Sequence, residues 1–122
     1  MENKKTLVIG ASIKPERYSY KAVKSLLEHG HEVVAIGAKE AELDSVKIHK
    51  TPIAFENVDT VTMYISEKFQ PEYYDYIIKK IAPKRVIFNP GTENDEFAQM
   101  LEKSGIKVEI ACTLVLLSIG EY

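Results

Sequence analysis

The chain is predicted to fold as a three-layer α/β sandwich with a mostly parallel, five-stranded sheet. Five short apolar runs alternate along the sequence with segments whose apolar residues recur at helical spacing. These helical segments span roughly 10–13 residues, which is enough to connect parallel strands through βαβ units with right-handed crossovers. The chain has 122 residues, 45% of them hydrophobic. This size and composition predict a single domain over residues 1–122.

The first third of the chain contains two strands with a helix between them. Residues 6–9 form a continuous β-branched and aliphatic run, typical of a strand buried on both faces, and a loop over residues 11–17 follows. The helix is predicted to end at Gly30, a residue type favoured just after a helix terminus. Residues 31–36 form the second apolar run. The helical stripe consists of Tyr20, Val23, Leu26 and Leu27.

The middle of the chain is less regular. The apolar residues within residues 38–59 follow neither the spacing of a helix nor the alternation of a strand. We therefore predict irregular structure there apart from a short strand near residues 46–49. Residues 60–65 read as the next strand of the sheet. A helix is then predicted to begin at Pro71 and to end before Pro83. Its apolar stripe consists of Tyr73, Tyr74, Ile77, Ile78 and Ile81.

The last third repeats the strand and helix pattern. Residues 85–88 are predicted to be a strand, residues 89–91 a loop, and residues 107–111 the last strand. Gly105 closes the helix between these strands. The apolar tail over residues 112–120 is compatible with a buried helical turn or with further strand. The apolar side of the helix consists of Phe97, Met100 and Leu101.

The composition disfavours several classes of function. The 16 Lys+Arg and 18 Asp+Glu residues give a net charge of −2, which lacks the basic field needed for non-specific binding to nucleic acid. No apolar run approaches the ~18 residues of a membrane span, and the first residues do not match a signal peptide. The single cysteine allows no intrachain disulfide. We therefore expect a cytoplasmic protein that binds neither nucleic acid nor membranes.

The turn after the first strand is the first candidate for a ligand site. In a doubly wound sheet, ligands bind outside the carboxyl ends of the strands. Gly10, Ala11 and Ser12 form a small-residue turn at this position. Their backbone N–H groups and the Ser12 hydroxyl can approach phosphate oxygens near the N-terminus of the next helix. The alternative is a tight strand-to-helix turn that binds no ligand.

The motifs of two common nucleotide-binding classes are incomplete. The dinucleotide fingerprint G-x-G-x-x-G needs three glycines, and the segment GASIKPER contains only the first. NAD-binding proteins carry an acidic residue after the second strand, whereas this chain has Gly37, Ala38 and Lys39. A lysine there suits a phosphate on the ribose. The motif G-x-x-x-x-G-K-[ST] of nucleotide hydrolases is also absent, so the sequence disfavours both NAD binding and nucleotide hydrolysis by that route.

A set of loop residues resembles a known family. The set consists of Gly10, Ala11, Ser12, Pro15, Arg17, Ser19 and Gly30, followed by residues 89–93 and 111–113. In this order the residues resemble the small stand-alone CoA-binding proteins of bacteria, which are similar to the CoA-binding domain of the succinyl-CoA synthetase alpha subunit. The resemblance covers essentially the whole chain, and G-A-S-x-x-P-x-R-x-S is its most specific part. It implies a Rossmann-like domain that binds coenzyme A or an acyl-CoA.

The same resemblance implies roles for the residues at the strand ends. One group would hold the CoA phosphates or assist at the start of the helix: Gly10, Ala11, Ser12, Ile13, Arg17 and Ser19. Lys39 falls where larger relatives place a lysine after the second strand, and Ile65 and Ser66 would flank the adenine or ribose. The last group would line the crevice: Asn89, Pro90, Gly91 and Thr92.

Cys112 follows the last strand, so we expect it beside the same crevice. Free cysteines are most often buried and unreactive, which favours core packing. The alternative is a thiol that meets the thiol of CoA and forms a mixed disulfide, which would require exposure and a lowered pKa.

No catalytic or metal-binding residues are predicted. The three histidines have no cysteine or carboxylate at ligand spacing. The acidic group Glu93, Asp95 and Glu96 lies at a predicted helix start, where negative charge stabilises the helix dipole.

The sequence therefore predicts a binding module, a carrier or sensor of CoA or acyl-CoA, with no chemistry of its own. One alternative is an enzyme, either a subunit that acts on acyl-CoA or a NAD(P)-dependent oxidoreductase that requires a partner. Another is a protein-interaction domain with a vestigial crevice. Tyr73, Tyr74 and Tyr76 crowd one helix, where they belong to the core or form the surface of a homodimer.

Overall fold

The computed structural model describes residues 3–122, so residues 1 and 2 of the predicted domain lie outside the described residues. Its strands are β1 Thr6–Ala11, β2 Val33–Gly37, β3 Ala41–Leu43, β4 Val46–His49, β5 Thr60–Met63, β6 Arg85–Phe88 and β7 Lys107–Ile110. Its α-helices are α1 Tyr18–Glu28, α2 Asp95–Lys103 and α3 Thr113–Ser118. Residues 71–81 form a further helical segment.

The strands form one seven-stranded sheet in the order β3-β4-β2-β1-β5-β6-β7. Every neighbouring pair is parallel except β3 and β4, which are antiparallel. The prediction of a mostly parallel sheet is confirmed. Because β1 lies at the centre and the chain winds outward in both directions, the sheet has a switch point beside β1.

The predicted number of five strands is wrong because the segment expected to be irregular forms a hairpin at the sheet edge. The short strand near residues 46–49 is present as β4, and β3 precedes it. Asp44 has a left-handed backbone with φ of 54°, which reverses the chain between the two strands. With three residues in β3 and four in β4, the alternation of buried and exposed side chains is too short to be recognised in the sequence.

Helices cover both faces of the sheet and create two apolar cores. On one face, residues 71–81 and α2 pack on side chains such as Leu7, Val61 and Phe88. On the other face, α1 and α3 pack on side chains such as Val8 and Ile87. The predicted three-layer sandwich is confirmed.

The helical segment over residues 71–81 differs from the predicted regular helix. It begins as the 3₁₀ turn Pro71–Tyr73 and ends as the π-helical segment Tyr76–Ile81. Pro71 occupies the first helical position as predicted. At the other end Ala82 adopts a left-handed conformation with φ of 46°, since a residue before proline is disfavoured in the α region.

The tyrosines of this segment pack within the domain. Tyr76 is buried and its hydroxyl donates to the carbonyl oxygen of Ile53. Tyr74 stacks on Phe97 with a ring-centroid distance of 4.3 Å, and its hydroxyl donates to Glu96. The core alternative accounts for these two tyrosines, and the homodimer stays a prediction.

The remaining helix ends follow local signals in the sequence. The residues Gly30 and Gly105, which follow α1 and α2, have φ of 82° and 80°, as expected of glycines that close helices. The side chain of Asn94 accepts a hydrogen bond from the Phe97 N–H and caps α2, and Asp95 begins the acidic first turn. The apolar tail, which the sequence left compatible with either a helical turn or a strand, forms α3.

The amino edge of the sheet contains a buried histidine. His31 is 3% exposed, its Nδ1 accepts a hydrogen bond from the Lys4 backbone N–H at 3.0 Å, and its ring packs on Tyr122. Its Nε2 has no partner among the described residues. Burial lowers the pKa of His31, and the nearby His29, Lys4 and Arg85 lower it further.

This histidine is expected to make the fold acid-sensitive. Below about pH 6.5, the ordinary histidine pKa, the unfolded chain binds a proton that folded His31 does not, so the free energy of unfolding falls as the pH decreases. His31→Asn preserves an acceptor for Lys4 and should reduce the loss of melting temperature between pH 7 and about pH 5.5. Thermal melts at several pH values measure this, with His49→Asn as the control. An unchanged pH dependence in His31→Asn would contradict the assignment.

Candidate functional site

The candidate site lies along the edge where the parallel strands end. The carboxyl ends of β1, β2, β5, β6 and β7 share this edge because the strands are parallel. The predicted site residues lie at the last residues of these strands or on the segments that follow them, with Ser19 in the first turn of α1. The topology therefore brings the predicted loops to one edge of the sheet.

Gly10 allows the end of β1 to pack closely against the end of β5. Its φ is 95°, and a Cβ placed on it would lie 2.9 Å from Ile65 Cγ2 and 3.0 Å from the carbonyl carbon of Tyr64. The register of β1 against β2 shifts between Ile9 and Ala11, so β1 has a β-bulge at Gly10. The structure thus places predicted residues Gly10 and Ile65 side by side.

Gly37 allows an equally close approach on the other side of β1. A Cβ on Gly37 would lie 2.4 Å from the carbonyl oxygen of Ala11 and 2.8 Å from Ile48 Cγ2. Lys39 follows two residues later and is exposed. Residues 10–13, which we call the β1 loop, are therefore flanked on one side by Lys39, which was predicted to contact a phosphate on the ribose. On the other side they are flanked by Ile65 and the exposed Ser66.

The loop between β1 and α1 leaves polar groups available to a ligand. The Ser12 hydroxyl oxygen accepts a hydrogen bond from the Lys14 N–H at 3.1 Å, which shapes the turn. Arg17, at the position before α1, makes no side-chain cap to the helix, and Ile13 is 54% exposed. The first N–H groups of an uncapped helix need external acceptors and favour anions. Of the predicted residues here, Ala11 and Ser19 are buried.

Asn89 holds the ends of three elements together. Its Nδ2 donates to Thr62 Oγ1 at 2.7 Å and to the Met63 carbonyl oxygen at 2.9 Å, and its Oδ1 accepts from the Thr113 N–H at 2.9 Å. The side chain is 2% exposed. Its polar atoms are therefore occupied within the protein, so Asn89 positions the edges of β5, β6 and α3.

A buried glutamine, which sequence reasoning missed, joins two of the loops. Gln70 is fully buried, and its Nε2 donates to the carbonyl oxygens of Ile65 at 3.0 Å and Thr92 at 2.8 Å. Its Oε1 accepts from Asn94 Nδ2 at 3.0 Å. Thr92 is also tied to its own loop, since its hydroxyl donates to the Asn89 carbonyl oxygen. No local pattern in the sequence identifies this network.

The loop after β6 turns sharply over the edge of the sheet. Gly91 has φ of 91°, and its N–H donates to Glu93 Oε1 at 2.9 Å. Pro90 precedes it and is exposed. The predicted loop of Asn89, Pro90 and Gly91 is confirmed.

A cavity of about 240 Å³ opens beside this loop. Its lining is mainly apolar and comprises Tyr18, Tyr64, Asn89, Pro90, Cys112 and Leu114. The free Cys112 is partly buried and is one of these lining residues. Tyr64, which sequence reasoning placed only as a strand residue, has a buried hydroxyl with no hydrogen-bond partner among the described residues. Burial raises the pKa of Tyr64 above its usual range.

Two further observations concern residues 3–122. In this part of the chain, no cluster of three or more histidine, cysteine or acidic residues has an arrangement that would hold a metal ion. Among the same residues, no helix combines the length and the apolar character needed to cross a membrane.

The chain is similar to several solved structures. A crystal structure of an uncharacterized protein matches it with 45% identity and a TM-score of 0.96, covering 100% of both chains. A hypothetical protein from Pyrococcus horikoshii OT3 shares 30% identity and a TM-score of 0.83, over 93% of this chain and 81% of its own. No curated protein matches.

A larger protein contains the same fold. The dinucleotide forming acetyl-coenzyme A synthetase 1 of Ca. Korarchaeum cryptofilum matches with a TM-score of 0.71 and 19% identity, over 86% of this chain and 25% of its own. The family model described as "CoA binding domain" matches residues 4–118. Because that match spans nearly the whole chain, the protein belongs to the CoA binding domain family.

Proposed function

We propose that the protein binds coenzyme A or an acyl-CoA at the carboxyl edge of its sheet and acts as a carrier or sensor without chemistry of its own. The observation that carries this proposal is the arrangement of the strand ends around β1, in a chain that belongs to the CoA binding domain family. There, Gly10 and Gly37 bring neighbouring strand ends together, and α1 begins without a side-chain cap. A pyrophosphate is the natural partner of such a helix start.

In this proposal the phosphates lie over the β1 loop. The backbone N–H groups of this loop, the Ser12 hydroxyl and the exposed Arg17 side chain supply donors and positive charge. The loop comprises Gly10, Ala11, Ser12 and Ile13. Ser19 is buried in the first turn of α1, so it supports the position of the helix start.

The nucleoside end lies beside the phosphates. Lys39 extends from the end of β2 and would contact a phosphate on the ribose, while Ile65 and Ser66 at the end of β5 would flank the adenine or ribose. Asn89, whose amide is occupied internally, and Thr92 act by positioning the neighbouring loops.

Two features support a role without catalysis. None of the residues that line the cavity is a histidine or a carboxylate, the usual bases that activate a nucleophile such as Cys112. The polar side chains around it, above all Asn89, hold the loops together. The proposal includes a cytoplasmic location, because a free thiol suits a reducing compartment.

Ligand-induced stabilisation tests the proposal. CoA at about 100 times its Kd should raise the free energy of unfolding by about 2.7 kcal/mol. Ser12→Glu places a negative charge against the phosphates and should abolish this gain without unfolding the protein. Ser45→Glu, in the exposed turn between β3 and β4, is the matched control and should keep the full gain.

Thermal melts with CoA, acetyl-CoA and NAD⁺ measure these effects. Absence of a shift with both CoA compounds would overturn the proposed ligand. An undiminished shift in Ser12→Glu would remove the phosphates from the β1 loop. Turnover of an acyl-CoA or of NAD(P)H by the purified chain would overturn the non-catalytic role.

A further inference from the structure

Strand β7 forms an open edge of the sheet. In the described part of the chain the sheet order ends at β7, which pairs with β6 on one side only. The Lys107 N–H donates to the Lys84 carbonyl oxygen on the β6 side at 3.0 Å. Because backbone groups alternate in direction along a strand, the N–H and C=O groups of Val108 and Ile110 point away from β6. The edge therefore presents backbone donors and acceptors to a further strand.

The side chains of β7 divide into an apolar face and a charged face. Val108 and Ile110 lie on one face, and Lys107 and Glu109 lie on the other, because side chains alternate along a strand. Val108 packs partly against the core on its side of the sheet, whereas Ile110 is 61% exposed. A β-branched residue exposed beside unpaired backbone is typical of a strand that pairs with another chain.

The charged face matches that of a second copy of β7 in one antiparallel register. When Val108 lies opposite Val108 of the partner subunit, each Lys107 lies opposite Glu109 of the partner subunit. A shift of two residues in either direction places two lysines or two glutamates opposite each other, and like charges in that position are destabilising. A shift of one residue fails to match the apolar and charged faces. Charge therefore selects a single register.

Glu109 has an oxygen available for this pairing. Its shortest contacts with cations both use Oε1, which lies 3.3 Å from Arg85 Nη1 and 3.4 Å from Lys107 Nζ of the same chain. Oε2 is left to accept from Lys107 of the partner subunit. The Lys107 side chain is 70% exposed, and directly opposed residues have Cβ atoms only about 4.5–5.5 Å apart. The two side chains can therefore meet across the edge.

The other edge of the sheet has the opposite character. Strand β3 has only three residues, and Glu40 and Glu42 are both acidic and both exposed. Antiparallel registers centred on β3 place Glu42 opposite Glu42 of the partner subunit or opposite its Glu40. Repulsion between these carboxylates disfavours self-pairing at β3. The charge pattern thus distinguishes the two edges.

We propose that two copies of the chain form a symmetric dimer in which their β7 strands pair antiparallel, with Val108 opposite Val108 and Lys107 opposite Glu109. The two seven-stranded sheets then form one continuous sheet. The carboxyl edges of the two halves face in opposite directions, because the central strands run antiparallel to each other. Both candidate ligand sites therefore stay open, and the dimer should form equally with and without CoA.

Sedimentation velocity without ligand measures the association. The wild-type chain should shift from monomer to dimer as its concentration rises through the micromolar range. Lys107→Glu turns two attractive pairs into repulsive ones and should raise the dissociation constant of the dimer about tenfold or more. Lys80→Glu makes the same change of charge at an exposed residue of the helical segment 71–81. It is the matched control and should associate like the wild type.

Val108→Pro tests the backbone bonds at the centre of the interface. Proline has no N–H, so both hydrogen bonds between the two copies of residue 108 are lost, and the dimer should disappear. The fold should persist, because the Val108 N–H points away from β6 and proline is tolerated at such positions of edge strands. Melting temperatures check the fold of every variant.

Cysteine cross-linking tests the register in a Cys112→Ser background. Val108→Cys should yield a disulfide-linked dimer under mild oxidation, since directly opposed residues of a hydrogen-bonded pair have Cα atoms about 5.5 Å apart, within disulfide range. Ile110→Cys is the matched control. In the proposed register the two copies of residue 110 lie four residues apart along the strands, about 13 Å, which is too far for a disulfide.

The contrary results are equally specific. A wild-type chain that stays monomeric overturns the dimer and leaves the β7 edge to a strand of another protein. A dimer that persists in folded Val108→Pro places the interface elsewhere. Unchanged association in Lys107→Glu, or cross-linking through Ile110→Cys in preference to Val108→Cys, overturns the register. None of these results depends on CoA binding, so the dimer and the proposed function stand or fall separately.

Discussion

Replacing Asn89 by alanine is expected to lower the free energy of unfolding by about 3 kcal/mol. The substitution removes hydrogen bonds to Thr62, to the Met63 carbonyl oxygen and from the Thr113 N–H. Because Asn89 is 2% exposed, water does not readily replace these bonds, and the Thr113 N–H at the start of α3 is left unpartnered. Urea denaturation monitored by circular dichroism measures the change.

Two further variants test this explanation. Lys84→Ala, at the exposed residue before β6, should change the stability by less than about 0.5 kcal/mol. Asn89→Asp keeps the acceptor for Thr113 but loses both donated bonds, so it should also be strongly destabilised. A loss below about 1 kcal/mol in Asn89→Ala would show that the bonds contribute little net stability.

Gly37→Ala is the second substitution with a large expected effect. Its Cβ would lie 2.4 Å from the carbonyl oxygen of Ala11 and 2.8 Å from Ile48 Cγ2. The first contact is with backbone, so no rotamer change relieves it, and β1 and β2 must separate. We expect a loss of stability at the upper end of about 1–3 kcal/mol, typical of overpacked cores.

The same substitution should also impair ligand binding, because Ala11 belongs to the proposed phosphate loop. The stabilisation by CoA should be much smaller in Gly37→Ala than in the wild type. Lys47→Ala, exposed on the neighbouring β4, is the control and should match the wild type in both measurements. Wild-type stability in Gly37→Ala would show that the strands separate there without cost.

Local signals in the sequence account for the parts of the fold that were predicted correctly. Gly30 and Gly105 close helices in left-handed conformations, and Asn94 caps α2. The central strands β1 and β6 are mainly apolar runs because both of their faces are buried. The hairpin of β3 and β4 was only partly recognised, since its turn depends on the left-handed backbone of a single aspartate, Asp44.

The candidate site was predicted as a set of loops and not as a set of contacts. Gly10 and Ser12 were recognised from the small-residue turn after the first strand, and the resemblance to CoA-binding proteins includes them; the structure places them at the predicted edge. Gln70 and Tyr64 were missed as site residues, because nothing in their sequence neighbourhood distinguishes them from ordinary helix-start and strand residues. Their importance comes from partners on other elements.

The sequence alone predicted the alternation of the central parallel strands with helices, the three-layer class and the edge of the sheet where we propose that the ligand binds. These properties follow from hydrophobic periodicity and from glycines at element ends, which act over a few residues. Only the tertiary structure decided which polar atoms at that edge are occupied and which are free. The bond between Thr62 and Thr113 spans 51 residues and that between Asn89 and Thr62 spans 27. Such pairings exist only once the parallel strands have been brought into register.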